Sequence, residues 1–288
     1  TGKDVLNLSL STEMELTKAS IIANAYHDTI ETQIAIDTFT YEHPLLPEGW
    51  QQMSARELRS TLLSMMDLYE TKQVLVGAQR AGVYGGEMRA ITHFSMREEK
   101  PQIDVHILPD TLLLRNAIYT LGESHISYCA ADTSLRVDGF SFRGAGQFIE
   151  ANGVASRNSQ DSLTIRLQKV DASYVVPFVL PKQIIMFDGM MTGALSVSGV
   201  LKQPKINGAV HVDGMGLNGC TFGDAEVDIH IYPERRLPHV TLPPQLQFHA
   251  DVNIPTRRVV SLDGEALFDG TGSWKLDMQT DSVPLDFI

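Results

Sequence analysis

A mainly β fold built from antiparallel strands is what these 288 residues predict, and three observations carry the prediction. Apolar and polar residues alternate with period two over many short segments, the pattern of strands with one dry and one wet face. The apolar runs are short, whereas strands of a helix-covered parallel sheet read as continuous apolar runs. The dipeptides Asp138-Gly139, Asn152-Gly153, Asp213-Gly214, Asn218-Gly219, Asp263-Gly264 and Asp269-Gly270 supply the positive φ that tight turns require, and they predict turns.

In chain order, Leu6, Leu8 and Leu10 face one way while Asn7 and Ser9 face the other. The stretch "ASIIANAYHDTIETQIAI" reads as two strands with "YHDT" as a hairpin tip, a helix being the alternative; Ile34 and Ile36 keep the alternation. "YEHPLLPEGW", with Pro44 and Pro47, reads as a loop. Ser54 followed by Glu57 makes a capping box, and Leu58, Leu62, Met65, Met66 and Tyr69 form one helical stripe. One amphipathic helix over residues 55–75 is therefore expected. Ile103, Val105 and Ile107 then alternate with Asp104 and His106, and Leu163, Ile165 and Leu167 with Thr164, Arg166 and Gln168.

Residues 193–214, "GALSVSGVLKQPKINGAVHVDG", repeat one short one-sided strand. Leu195 and Val197 lie between Gly193 and Gly199. Val210 and Val212 lie between Gly208 and Gly214, and Lys202 and Pro204 fall between the copies. A proline between strands removes no ladder hydrogen bond. Val227, Ile229 and Ile231 continue the pattern, followed by Leu246, Phe248, Ala250, Val252 and Ile254, then Trp274, Leu276 and Met278. The texture changes near Met186, after which glycine is frequent. Two regions are expected: residues 1–102, β-rich with the inserted helix, and residues 103–288, a repetitive amphipathic β region continuous with the first. The chain begins at Thr1 and "TGKDVLNLSL" does not read as a signal peptide, so a processed product or a fragment is expected.

Composition narrows the function. The net charge of −12 argues against a surface that neutralises phosphates, so neither nucleic acid nor an anionic membrane face is expected as a partner. No run approaches the ~20 apolar residues of a membrane-spanning helix. Cys129 and Cys220 have no partners at metal-ligand spacing; two buried thiols are expected, with a mutual disulfide as the alternative.

The catalytic templates fail. "RGAGQF" lacks the third glycine of a dinucleotide loop, and "LGESHIS" lacks the glycine of a nucleophile elbow. His106, His211, His230 and His249 read as solvent-side residues of amphipathic strands. Met65, Met66, Met186, Met190 and Met191 read as packing. No catalytic residue, metal ligand or cofactor is expected, and the reading is non-enzymatic.

Roughly fifteen to twenty strands must place their dry faces somewhere. Either two sheets pack on each other, or one sheet curves into an apolar trough. The dry faces are rich in Leu, Ile and Val, and aromatic residues make up only 7% of the chain, which suits a smooth lining.

The stretch "FDGMMTGALSVSGVLKQPKINGAVHVDGMGLNGCTFGDAEVDIHI" resembles the TamB family of envelope proteins, within the AsmA-like group. The resemblance lies in a G-x-L-x-V-x-G strand, a basic-polar step, a proline, and a second amphipathic strand ending in glycine. A strand of G-x-A-E-V type follows at residues 223–227. "SLDGEALFDGTGSWKLDMQTDSVPLDF" and "FRGAGQFIEANGVASRNSQDSLTIRLQKVDASYVV" look like that family's flanking segments. Residues 103–288 carry the resemblance, residues 1–102 share only its texture, and the nearest likeness is to the Bacteroidota branch and to a middle or late segment.

The resemblance implies an elongated, curved antiparallel sheet folded over as a β-taco around an apolar groove. It implies a periplasmic segment of a protein anchored to the inner membrane, the anchor being absent here. It further implies phospholipid transport to the outer membrane, support of outer-membrane protein assembly, and a TamA- or BamA-type barrel partner. The expected lining is Leu163, Ile165, Leu167, Leu195, Val197, Val210, Val212, Val227, Ile229, Ile231, Leu246, Phe248, Val252 and Leu276, with phospholipid acyl chains as the ligand. The alternatives are a structural or adhesion β-sandwich and a β-rich hydrolase whose carboxylates are not recognisable. The hydrolase is disfavoured because Trp50 and Trp274 are the only tryptophans to serve as sugar platforms.

Overall fold

The computed structural model describes residues 5–14, 17–158, 160–174, 187–199, 205–232, 235–237, 240–242, 245–254, 258–267 and 274–279. Lys202, Pro204, Met186 and Asp269-Gly270 lie outside the described residues.

The described residues are mainly strand. In chain order these are β1 (Val5–Met14), β2 (Thr17–Tyr26), β3 (Thr29–Tyr41), β4 (Gly82–Arg97), β5 (Lys100–Ile107), β6 (Asp110–Leu114) and β7 (Ala117–Leu121). Then come β8 (Ser124–Cys129), β9 (Ser134–Gly144), β10 (Gln147–Ala155), β11 (Leu163–Asp171), β12 (Phe187–Ser198) and β13 (Lys205–Leu217). The last are β14 (Cys220–Tyr232), β15 (Arg235–Leu237), β16 (Val240–Leu242), β17 (Gln245–Ile254), β18 (Arg258–Leu267) and β19 (Trp274–Gln279). Seventeen of them form one sheet, and β15 and β16 form a separate ribbon. Chain contacts define two units, each assembled from three segments: Thr1–Tyr41, Gly82–Leu167 and Ala194–Ile206, and Glu42–Ala81, Gln168–Gly193 and Asn207–Ile288.

In the first unit, β1 to β4 pair in sequence, each antiparallel to the next. "YHDT" is the tip between β2 and β3, and His27 there has φ 51°. The sheet then forks. The later half of β4 pairs with β5, while Gly85 and Gly86 pair with β6. The branches β5–β8 and β6–β7 rejoin on β9, which also pairs with β10. A Cβ on Gly86 would come within 2.6 Å of the Thr111 carbonyl oxygen, so glycine permits the close approach at the fork. Val137, Ala155 and Leu163 form a buried cluster here, with Ile126, Leu135, Phe140, Ala151 and Val197 packed against it.

The second unit holds the helices, and here the structure corrects the expected single helix. Residues 55–80 form two in its place, α1 (Ala55–Leu63) and α2 (Leu68–Arg80). The capping box at Ser54 is present: Ser54 Oγ accepts from the Glu57 N–H at 3.2 Å, and the Glu57 carboxylate accepts from the Ser54 N–H at 2.8 Å. The chain then restarts, with Asp67 accepting from the Glu70 N–H at 2.8 Å as a second N-cap. The restart shifts the helical phase. Leu58 and Leu62 are buried as expected, but Met65 and Tyr69 are 63% and 59% exposed. Val74 and Leu75 of α2 join Leu58 and Leu62 instead, with Trp50, Met53 and Met66 packed around them. Residues 42–49 form the expected loop, and a Cβ on Gly77 would meet the His43 ring at 2.6 Å, so the loop lies against α2.

The expected turns are partly corrected. Of the named dipeptides among the described residues, only Asn218-Gly219 is a hairpin turn, with φ 50° and 80°. Asp138 and Gly139 lie inside β9, opposite the single residue Asn152 of β10, where the register shifts. That is a β-bulge, which uses the same positive φ as a turn; Gly139 has φ 71°. Asp213-Gly214 lies inside β13 and Asp263-Gly264 inside β18. Three further tight turns fall at Glu98-Glu99, Arg115-Asn116 and Ala145-Gly146, all with both central φ positive, and of these only Glu98-Glu99 holds neither Asn nor Gly.

Candidate functional site

The expected lining residues fall in both units. Leu163, Ile165, Leu167, Leu195 and Val197 belong to the first, and the other nine to the second. In the first unit, Leu163 sits in the buried cluster and Val197 packs against it. Leu167 is buried, while Ile165 and Leu195 are half-buried. Alternation along β11 breaks at Lys169, where φ is 49°, so that Val170 rather than residue 169 turns inward, at 1% exposure.

The second unit brings its lining residues onto one sheet face. The Asn218-Gly219 turn joins β13 to β14, and hydrogen bonds of His211 to Glu226 and of His230 to Asn207 set the register. Counted back from that two-residue turn, Val212 falls across from Ala225 and Val210 across from Val227. On the next strand, Ala225, Val227, Ile229 and Ile231 of β14 lie opposite Val252, Ala250, Phe248 and Leu246 of β17. In β18 and β19, Gly264 lies opposite both Phe248 and Leu276; the Leu276 side chain lies outside the described set. Every one of these positions is apolar.

Burial is graded along this face. Val210, Val212, Ala225, Ala250 and Val252 are buried, whereas Val227, Ile229, Ile231, Leu246 and Phe248 are half-buried. The buried end is the end nearer the β13–β14 turn, and that turn touches the helices: a Cβ on Gly219 would meet the Ala55 carbonyl oxygen at 2.7 Å. Nearby, Gln79 Nε2 of α2 donates to the Phe187 carbonyl at 2.6 Å and to Asp188 Oδ1 at 3.2 Å. Burial raises the Asp188 carboxyl above its ordinary range, against the lowering effect of the Gln79 hydrogen bond. Ala225 escaped the sequence reading; its signal was its phase, two residues before Val227.

The opposite face of the same strands is charged. His211 Nδ1 lies 2.6 Å from Glu226 and its Nε2 lies 3.0 Å from Asp213. His249 Nδ1 lies 2.8 Å from Asp263 and its Nε2 3.5 Å from Asp251. His106 bonds Glu123 at 2.8 Å and stacks on His125 at 4.1 Å in the first unit. Cys129 is buried and Cys220 half-buried, and neither is in a disulfide. Among the described residues no group of three or more His, Cys, Asp or Glu side chains is placed to hold a metal ion, and no helix is long and apolar enough to cross a membrane.

No protein-family model, curated protein or solved structure matches the chain.

Proposed function

We propose that this chain is a segment of a TamB-like periplasmic protein that carries phospholipid along an apolar sheet face toward the outer membrane. The observation that supports this reading is the graded aliphatic face of β13, β14 and β17. It carries no polar side chain between its buried end at Val212 and Val252 and its half-buried end at Ile231 and Leu246. A conduit needs such a face, because burying an acyl methylene is worth about 0.8 kcal/mol and no fixed polar anchor interrupts sliding. A strand of ten residues is about 33 Å long, enough to cover an acyl chain. In this reading the acyl tail lies on Ile229, Ile231, Leu246 and Phe248, and the head group stays in water. The TamA- or BamA-type barrel partner and the anchor to the inner membrane belong to the whole protein.

The test is native mass spectrometry with lipid extraction on the chain purified gently from a bacterial periplasm. Phospholipid should copurify with the parent chain and be lost from Ile229→Asp and Ile231→Asp variants that melt like the parent. A lipid-free parent with a cooperative melt would overturn the reading in favour of a structural β-domain.

A further inference from the structure

The wet face of the second unit carries two histidines in an arrangement that a neutral imidazole does not satisfy. A neutral ring has one N–H donor and one bare acceptor nitrogen, and an ionised carboxylate only accepts. Each of these rings nevertheless presents a carboxylate to both nitrogens. Glu226 and Asp213 flank His211 at 2.6 and 3.0 Å, and Asp263 and Asp251 flank His249 at 2.8 and 3.5 Å. Only the doubly protonated ring donates on both sides.

The contacts run across strands. His211 on β13 reaches Glu226 on β14, and Glu226 stands directly opposite Asp251 on β17. His249 joins Asp251 on its own strand to Asp263 on β18. We propose that His211 and His249 form a pH-sensitive lock: protonated, they tie β13 to β14 and β17 to β18 and offset the carboxylates that face each other across β14 and β17, and deprotonated, they leave those carboxylates uncompensated.

The groups around each ring reinforce this. His211 sees Asp213 on its own strand and Glu226 on β14, with Asp224 and Asp228 one rung to either side. On its other flank, residues 187–193 of β12 contain one titratable group, Asp188. His249 has Asp251 on its own strand, Asp228 directly opposite on β14 with Glu226 and His230 a rung away, and Asp263 directly opposite on β18. Glu265 on β18 lies a rung farther and is opposite Lys275 of β19, while Asp277 of β19 is opposite Asp263. Carboxylates dominate, and like charges directly opposite in a sheet are destabilising. Hydrogen bonding to Glu226 holds the His211 ring above its ordinary pKa, with Asp213 adding to it, and hydrogen bonding to Asp263 does the same for His249.

The sign follows from linkage. A base whose folded pKa is raised stabilises the fold fully below its unfolded value and loses that contribution as pH rises through the folded value. The test is an imidazole titration by NMR on the full chain, with thermal melts at pH 6 and pH 8.5. The two rings should titrate with midpoints above about 6.5. The melting temperature should fall between the two pH values, and the fall should shrink in the His211→Gln, His249→Gln double variant. Midpoints at or below the ordinary value, or a double variant with the parent's full pH dependence, would overturn the proposal. If the double variant does not fold, the midpoints measured on the parent chain decide.

Discussion

The ring of Phe248 lies over Gly264, the residue directly opposite it on β18. A Cβ on Gly264 would run into the ring, with Phe248 Cδ1 at 2.7 Å and the outer ring atoms nearer still. The aromatic ring fills the space that glycine leaves on the sheet, and the ring can lie there only because residue 264 has no side chain. Gly264→Ala should therefore push the ring off and destabilise the unit by about 1–3 kcal/mol. Combining it with Phe248→Leu should recover part of that loss. Denaturant melts of both singles and the double measure the coupling, and strict additivity would count against the contact.

Gly219 answers to two constraints at once. Its φ is 80°, and its missing Cβ leaves room for the Ala55 carbonyl at the start of α1. Gly219→Ala should cost about 1–3 kcal/mol by forcing a left-handed alanine, with the backbone clash in addition. Asn218→Gly gives up a buried side chain but puts at φ 50° the residue that adopts it without strain, so it should cost less. Urea unfolding of the two variants checks the order.

The helix pair is set by two caps rather than one. Asp67→Ala should destabilise by about 1 kcal/mol, similar to Ser54→Ala. Leu62→Ala, at a fully buried position, should cost about 2–5 kcal/mol. If residues 55–80 were one continuous helix, Asp67→Ala would instead be neutral or stabilising, because alanine favours a helix interior.

Burial along the aliphatic face predicts a contrast within one side-chain class. Val212→Asp places a charge at a position 7% exposed and should unfold the unit. Ile229→Asp, at a half-buried position, should lower the melting temperature much less. Circular-dichroism melts that showed equal loss at both positions would mean the face is uniformly covered.

Asp188 supplies a pH effect of its own. Its carboxyl is raised chiefly by burial, so it binds its proton more tightly folded than unfolded. Its contribution is present below the unfolded pKa and is lost as pH rises through the folded one. Asp188→Asn should therefore gain stability relative to the parent as pH increases from 3 to 7. A constant difference between the two chains across that range would remove burial as the cause.

Much of the fold was legible because strand faces are written locally. Side chains at i and i+2 share a face whatever the partner strand is, so Val210 with Val212 and the row from Val227 to Ile231 could be grouped from sequence. Ser54 and Glu57 likewise announce a helix start within four residues. The turns were less legible, because Asp138-Gly139 in a bulge and Asn218-Gly219 in a hairpin satisfy the same demand for positive φ. The second cap, Asp67 with Glu70 three residues on, carried a signal that the continuous apolar stripe concealed.

By itself, then, the sequence determined the mainly β character, the apolar face of each strand and the first helix start, since each depends on residues a few positions apart. Tertiary structure alone decided which strands pair and in what register. It put Glu226 opposite Asp251, His249 opposite Asp263, and the Phe248 ring over Gly264. It also decided the fork from β4 to β9 and the gradient from buried Val252 to half-buried Leu246. These relationships join residues far apart in the chain, and their energies depend on the whole set of neighbours that packing assembles.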